Sequence, residues 1–117
     1  VRTPRYRLRY FDWGPPDRPT VVLVHGLCDR ARSFAPVMAR LTDAGFRCVA
    51  YELPDGRGDG AVLGRYKHPE YAADLVALLD HLGVSTANVV GSSFGSTVVL
   101  RALGEHPARF RRGAVQG

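Results

Sequence analysis

The chemistry available to this chain centres on one hydroxyl set between glycines. In the run Ala87-Asn88-Val89-Val90-Gly91-Ser92-Ser93-Phe94-Gly95-Ser96-Thr97, residues Gly91, Ser93 and Gly95 fit the spacing G-x-S-x-G. That spacing places a serine on a sharp turn from a strand into a helix. A side chain at Gly91 or Gly95 would collide with the neighbouring strand or helix, and the central serine is driven toward strained backbone angles. The hydroxyl then stands clear of the sheet. The helix opening at Phe94 offers amide donors and the positive end of its dipole to developing negative charge, which is half of an oxyanion site. Ser93 is the candidate nucleophile; Ser92 lies in reach, but only Ser93 has glycine two residues away on both sides. The plain alternative is a Gly/Ser-rich connection with no chemistry. The apolar strand before the turn and the helical run through Val98, Val99, Leu100 and Leu103 after it weigh against that alternative.

The elements that must position this turn follow from periodicity. Arg5 to Phe11 alternates arginine with Tyr6, Leu8 and Tyr10, a period of two that predicts a half-buried edge strand, closed by Gly14-Pro15-Pro16-Asp17. Thr20 to Val24 is a continuous, largely β-branched run suited to a strand covered on both faces of a parallel sheet. Ser33 is the expected N-cap of a helix carrying Phe34, Val37, Met38 and Leu41 on one face, with Pro36 in its first turn and Gly45 as its stop. Phe46 to Tyr51 is the next buried strand, with Glu52 at its end. Four breakers in the seven positions Pro54 to Gly60 predict a loop. From Pro69 a helical face carries Tyr71, Leu75, Leu78, Leu79 and Leu82 and ends at Gly83. After the serine turn and its helix, closed by His106-Pro107, Arg112 to Val115 reads as the start of one more strand. Strands alternating with helices in this way imply a three-layer α/β/α fold with a mostly parallel sheet, in a single domain over residues 1–117.

Composition narrows the classes. With 117 residues, 45% hydrophobic and 23% charged, the chain is an ordinary globular domain, without repeats or low-complexity tracts. No apolar run reaches membrane-spanning length and no secretory start is present, so no membrane association and a cytoplasmic setting are the expectations. Cys28 and Cys48 have no metal-ligand spacing and read as two free thiols; neither a metal nor a cofactor site is expected. The net charge of +5 comes largely from arginines near both ends, including Arg2, Arg5, Arg7, Arg9, Arg101, Arg109, Arg111 and Arg112. Without a recognised binding motif these read as solvated surface charge, so no nucleic-acid partner is expected.

With the elements in this order the chain resembles the α/β-hydrolase superfamily, in its esterase and peptidase branches. The landmarks are the apolar strand ending in His25-Gly26, the strand-loop Glu52-Leu53-Pro54, and the turn Gly91-Ser92-Ser93-Phe94-Gly95. Gly95 through Glu105-His106-Pro107 also resembles the helix that follows the nucleophile, so nearly the whole chain takes part. The resemblance implies Ser93 as nucleophile and the backbone amides of Phe94 and Leu27 as oxyanion donors, each expected to contribute on the order of a hundredfold or more in rate. The side chains of Leu27 and Phe94 would then wall the pocket, and His25, Gly26, Gly91 and Gly95 would shape the motif. Glu52-Leu53-Pro54-Asp55-Gly56-Arg57-Gly58 departs from the family's aspartate-apolar-proline-Gly-x-Gly pattern, implying a longer or differently shaped loop. A serine stands where dehalogenases and epoxide hydrolases of the superfamily carry aspartate, which argues against both chemistries.

The resemblance also implies that the triad acid and histidine follow the nucleophile in chain order, and the chain reaches Gly117 as the next strand starts. Both residues are therefore expected beyond Gly117. Of the histidines present, His106 lies at the far end of the helix that Ser93 begins, roughly 20 Å away at the helical rise. His81 ends its own helix at the opposite edge of the sheet. His25 and His68 are at the correct edge; the family assigns His25 to shaping the oxyanion loop, and nothing specifies His68 as a base.

These readings predict a serine hydrolase cleaving an ester, amide or related acyl bond of a small-molecule substrate through an acyl-enzyme on Ser93, nearly inactive without the downstream residues. The alternatives are a non-catalytic binding or receptor module on the same fold, and an acyltransferase in which an acceptor other than water resolves the acyl-enzyme. Continuation of the reading frame into a histidine-bearing segment separates the first alternative from the enzyme. Apolar faces at Val21 to Val24, Val89 to Val90 and Ala114 to Val115 are expected to be partly exposed, with an unpaired edge after Val115, giving marginal stability or self-association through the sheet.

Overall fold

A computed structural model describes residues 8–26, 29–53 and 68–117, the side chains of His68, Pro69 and Glu70 excepted. Among the described residues five strands form one sheet in the order β1-β3-β2-β4-β5: β1 (Tyr10–Trp13), β2 (Thr20–Val24), β3 (Arg47–Tyr51), β4 (Ala87–Ser92) and β5 (Phe110–Gln116). β1 runs antiparallel to β3, and the pairs β2/β3, β2/β4 and β4/β5 are parallel. Three α-helices among the described residues alternate with the strands: α1 (Ala35–Asp43), α2 (His68–Leu82) and α3 (Phe94–Glu105), with a 3-10 turn over Ala31–Phe34 leading into α1. This is the three-layer α/β/α arrangement with a mostly parallel sheet.

Side-chain alternation divides the sheet between two apolar layers. Val22 and Val24 of β2, Val49 and Tyr51 of β3 and Val89 of β4 join Leu75, Leu78 and Leu79 of α2 and Val98, Val99 and Ala102 of α3. On the other face Val21, Leu23, Cys48 and Ala50 meet Ala31 and Met38. Every residue of β2 is therefore buried, which a continuous apolar run requires. The expected exposure of Val21 to Val24 and of Val89 does not occur, because α1 covers one face of β2 while α2 and α3 cover the other. It does occur at Val90, which is half-buried, and on β5, where all residues after Phe110 are exposed and Val115 retains 51% of its accessible surface.

Other boundaries move for local reasons. The first strand covers Tyr10–Trp13, its ladder set by β3 from Tyr10↔Tyr51 to Trp13↔Cys48; Leu8 and Arg9 precede it outside the strand, and Arg5 to Arg7 of the expected run lie outside the described residues. Ser33 does not cap α1. It sits inside the 3-10 turn with its hydroxyl donating to Asp29 Oδ1, and α1 opens at Ala35 with Phe34 at the N-cap and Pro36 in the first turn. Val37, expected on the buried face, is 47% exposed. β5 begins at Phe110, two residues before the expected start at Arg112. Arg109 is not simply solvated: it donates to the Ser85 and Val84 carbonyls at 2.8 and 3.0 Å and pairs with Asp80 at 2.8 Å, tying the end of α2 to the start of β5. The loop expected over Pro54 to Gly60 lies outside the described residues, as does Cys28; Cys48 is a buried free thiol.

Candidate active site

β4 ends at Ser92 and α3 begins at Phe94, so Ser93 alone makes the turn between them. It does so with φ 56° and ψ −119°, the one non-glycine positive φ among the described residues. A residue with a Cβ reaches this region only when its surroundings compel it, at a cost of roughly 1–3 kcal/mol. The compulsion comes from the two glycines. A Cβ on Gly91 would stand 2.4 Å from the Gly95 carbonyl oxygen, and a Cβ on Gly95 would stand 2.1 Å from that of Val24. The turn thus closes tightly on the helix through Gly91 and on β2 through Gly95. Two further bonds hold it: the Ser93 amide donates to the Gln116 carbonyl at 2.8 Å, and Ser96 Oγ lies 3.2 Å from the Gly91 carbonyl oxygen and 3.0 Å from that of Gln116. Ser93 itself is exposed at the C-terminal edge of the parallel strands.

The loop leaving β2 lies against the same side chain. A Cβ built on Gly26 would stand 3.0 Å from Ser93 Cβ and 3.4 Å from its Oγ, so a larger residue there would press on the hydroxyl. His25 is 1% exposed and both ring nitrogens are engaged: the Leu53 amide donates to Nε2 at 2.9 Å, and Nδ1 is 2.6 Å from the Gly26 carbonyl oxygen. Because an amide can only donate, Nε2 is the acceptor and Nδ1 carries the hydrogen toward Gly26. His25 therefore fastens the β2 loop to the end of β3 and has no nitrogen left for Ser93. Next to Leu53, Glu52 accepts through Oε1 from the Ala31 amide, which ties the 3-10 turn to the end of β3 as well.

Phe94 occupies the first position of α3, so its amide lies at the positive end of the helix. Its ring stands edge-on to Tyr71 at 5.2 Å between centroids and 74° between planes. Tyr71 is 2% exposed and is the first residue of α2 whose side chain is described, so the helix start that carries Phe94 is braced from beneath. In the sequence Tyr71 reads only as part of an apolar helical face, and Ser96 only as part of the helix that follows the serine turn. A serine one turn into a helix gives no signal until the carbonyls of β4 and β5 are brought to it.

The remaining expected residues fall as follows. Leu27 and the His68 side chain lie outside the described residues. His81 sits in the last turn of α2 with its ring edge-on to Tyr10 at 5.9 Å, and His106 is the C-cap of α3, at the opposite end of the helix from Ser93. Among the described residues no side chain hydrogen-bonds Ser93 Oγ, and no cluster of three His, Cys, Asp or Glu residues is arranged to hold a metal. No described helix is long and apolar enough to cross a membrane.

Known proteins are similar to this chain in sequence and fold. The family model described as the alpha/beta hydrolase fold matches residues 19–117. Epoxide hydrolase A of Mycobacterium tuberculosis is 37% identical over 107 residues, covering 87% of this chain and 32% of its own length. The bifunctional esterase/perhydrolase DCH of Acinetobacter calcoaceticus is 34% identical over 101 residues, covering 84% of this chain and 36% of its own length. The crystal structure of epoxide hydrolase A from Mycobacterium thermoresistibile superposes with a TM-score of 0.88 at 32% identity, covering 98% of this chain and 37% of that one. The chain thus spans about a third of the length of the curated relatives it matches. With its serine turn, its parallel core and these matches, the chain belongs to the α/β-hydrolase fold family.

Proposed function

We propose that this chain supplies the nucleophile and oxyanion donors of a serine hydrolase acting on an ester, amide or related acyl bond of a small molecule. The observation that carries this reading is the exposed Ser93 hydroxyl held at φ 56° between β4 and α3, with the β2 loop against it. Ser93 Oγ attacks the acyl carbon and its proton passes to a histidine base. The carbonyl oxygen gains the charge and is met by the amides of Phe94 and Leu27. Collapse expels the leaving group, which takes the proton, and water then releases the acid from the acyl-enzyme. Both the base and the acid that orients it belong to sequence beyond Gly117 in this reading. His25 is unsuited to the role because its two nitrogens are already engaged.

Two of the relatives named above are epoxide hydrolases, and the third is an esterase and perhydrolase. Serine rather than aspartate at position 93 supports acyl chemistry for this chain. The test is labelling by a fluorophosphonate probe, mapped by peptide mass spectrometry, on the product of the full reading frame. Labelling at Ser93 that vanishes in Ser93→Ala is the expected result; labelling elsewhere, or persisting in that variant, overturns the assignment. Residues 1–117 alone should label slowly, and rapid labelling of that piece would place the base within it.

A further inference from the structure

The edge of the sheet formed by β1 carries two adjoining cavities that the serine chemistry does not use. The larger, about 420 Å³, is lined among the described residues by Arg9, Tyr10, Phe11, Arg30, Arg32 and Glu52. The smaller, about 200 Å³, is lined by Phe11, Trp13, Ala31, Arg32, Ala35 and Met38. Phe11 and Arg32 border both, so the two form one groove with a cationic end and an apolar end.

The cationic end is lined by Arg9, Arg30 and Arg32 together with Glu52, which accepts from the Ala31 amide. Arg30 and Arg32 are exposed and form no ion pair among the described residues. At the apolar end Phe11 and Trp13 alternate along β1, so both face α1. They remain 41% and 39% exposed beside the buried Ala31 and Met38. The wall is firm, because Arg47 holds Asp12 of the same strand through two bonds of 3.0 and 2.8 Å. Arginine forks match the oxygens of carboxylates and phosphates, and apolar lining with a few placed charges is the usual make-up of a small-molecule site. β1 is three strand spacings from β4, roughly 14 Å, so this groove is separate from the Ser93 turn.

We propose that this groove binds an amphiphilic organic anion, its acid group held by Arg30 and Arg32 and its apolar body lying along Phe11 and Trp13. The site does not depend on the hydrolase reading. Trp13 is the single tryptophan of the chain, so its fluorescence reports occupancy directly.

The experiment titrates residues 1–117 with octanoate below its micellar concentration, following Trp13 emission with calorimetry alongside. Octanol and acetate, the tail and the head alone, are expected to bind about tenfold more weakly or worse, since charged hydrogen bonds and apolar burial each contribute on that scale. Arg32→Gln and Ala35→Asp should each lose about tenfold in octanoate affinity, while Arg101→Gln on α3 should leave it unchanged. Ala35 is the first residue of α1, where aspartate suits the helix, so that variant keeps the fold while placing a repelling charge in the groove. Tighter binding of octyl phosphate or of octanoate supports the site and names the head group. Equal affinity for octanoate and octanol, equal affinity for octanoate and acetate, an unaffected Arg32→Gln variant, or no saturable binding by either method overturns it.

Discussion

Gly95 lies so close to Val24 that a single methyl group on it would stand 2.1 Å from the Val24 carbonyl oxygen. The end of β2 and the first turn of α3 are thereby in contact backbone to backbone. That contact brings the β2 loop to the serine turn, because Val24 is in register with Gly91 and the chain continues into His25-Gly26. Gly95→Ala should cost about 3 kcal/mol or more, since neither neighbour is a flexible side chain that could give way. Gly104→Ala on the same helix, where nothing lies within 4 Å, should instead stabilise by about 0.5–1 kcal/mol. Urea midpoints of the two variants check the contrast; similar values would mean the turn is looser than described.

Strain at Ser93 makes a separate prediction. Ser93→Gly and Ser93→Ala both remove the hydroxyl, but only glycine occupies φ 56° without penalty. Ser93→Gly should be the more stable of the two by about 1 kcal/mol after the entropy of the freer unfolded chain is subtracted. Thermal melts under identical conditions measure the difference, and equal stability would show that no strain is stored at the turn.

Tyr51 is fully buried, and its hydroxyl has no hydrogen-bond partner among the described residues. Burial first, and then the nearby Asp74 and Tyr71, push its pKa well above the ordinary value of 10.0. The folded chain therefore keeps this proton at pH values where the unfolded chain releases it. Stability gained from that difference is zero below the ordinary value and becomes a loss as pH rises above about 10. Tyr51→Phe should remove this share of the alkaline loss and, at neutral pH, be neutral or stabilising by up to about 1 kcal/mol, because a buried unpaired hydroxyl is also removed. Denaturation curves from pH 7 to 11 test both parts.

Asp12 and Arg47 join the edge strand to its neighbour by a bidentate pair whose arginine is 8% exposed and whose aspartate is 30% exposed. Asp12→Asn leaves a largely buried guanidinium short of a charged acceptor, at an expected cost of about 1.5–3 kcal/mol. The loss should persist at 0.5 M salt, whereas removing the exposed Arg101–Glu105 pair should change stability by less than about 0.5 kcal/mol.

Among the described residues β5 bounds the sheet opposite β1, with only one side paired, to β4, and Val115 exposed. Unprotected edges of this kind recruit further strands. Residues 1–117 should therefore self-associate in a concentration-dependent way, and Val115→Lys should shift them toward monomer. Sedimentation velocity over a hundredfold concentration range decides it: a monomer throughout would count against association through this edge.

Local pattern was enough for some of these features. The unbroken apolar run Thr20 to Val24 required a strand covered on both faces, and glycines on either side of Ser93 required a tight strand-to-helix turn, because both follow from side-chain volume and the two-residue and 3.6-residue periods. Those demands lie within a few consecutive residues, where the chain's own sterics decide. Other features depended on partners distant in sequence. Where β1 starts was decided by pairing with β3, and the fate of the Ser33 hydroxyl by Asp29 and the 3-10 turn. His25 became a clasp only when Leu53 approached its Nε2. The arginines beside Phe11 and Trp13 gathered into one groove only because β1 pairs antiparallel at the sheet's edge. One-dimensional order records which residues can bend, bury or ionise, but hydrogen bonds and charges act across space, so their partners are chosen by the packing of the sheet.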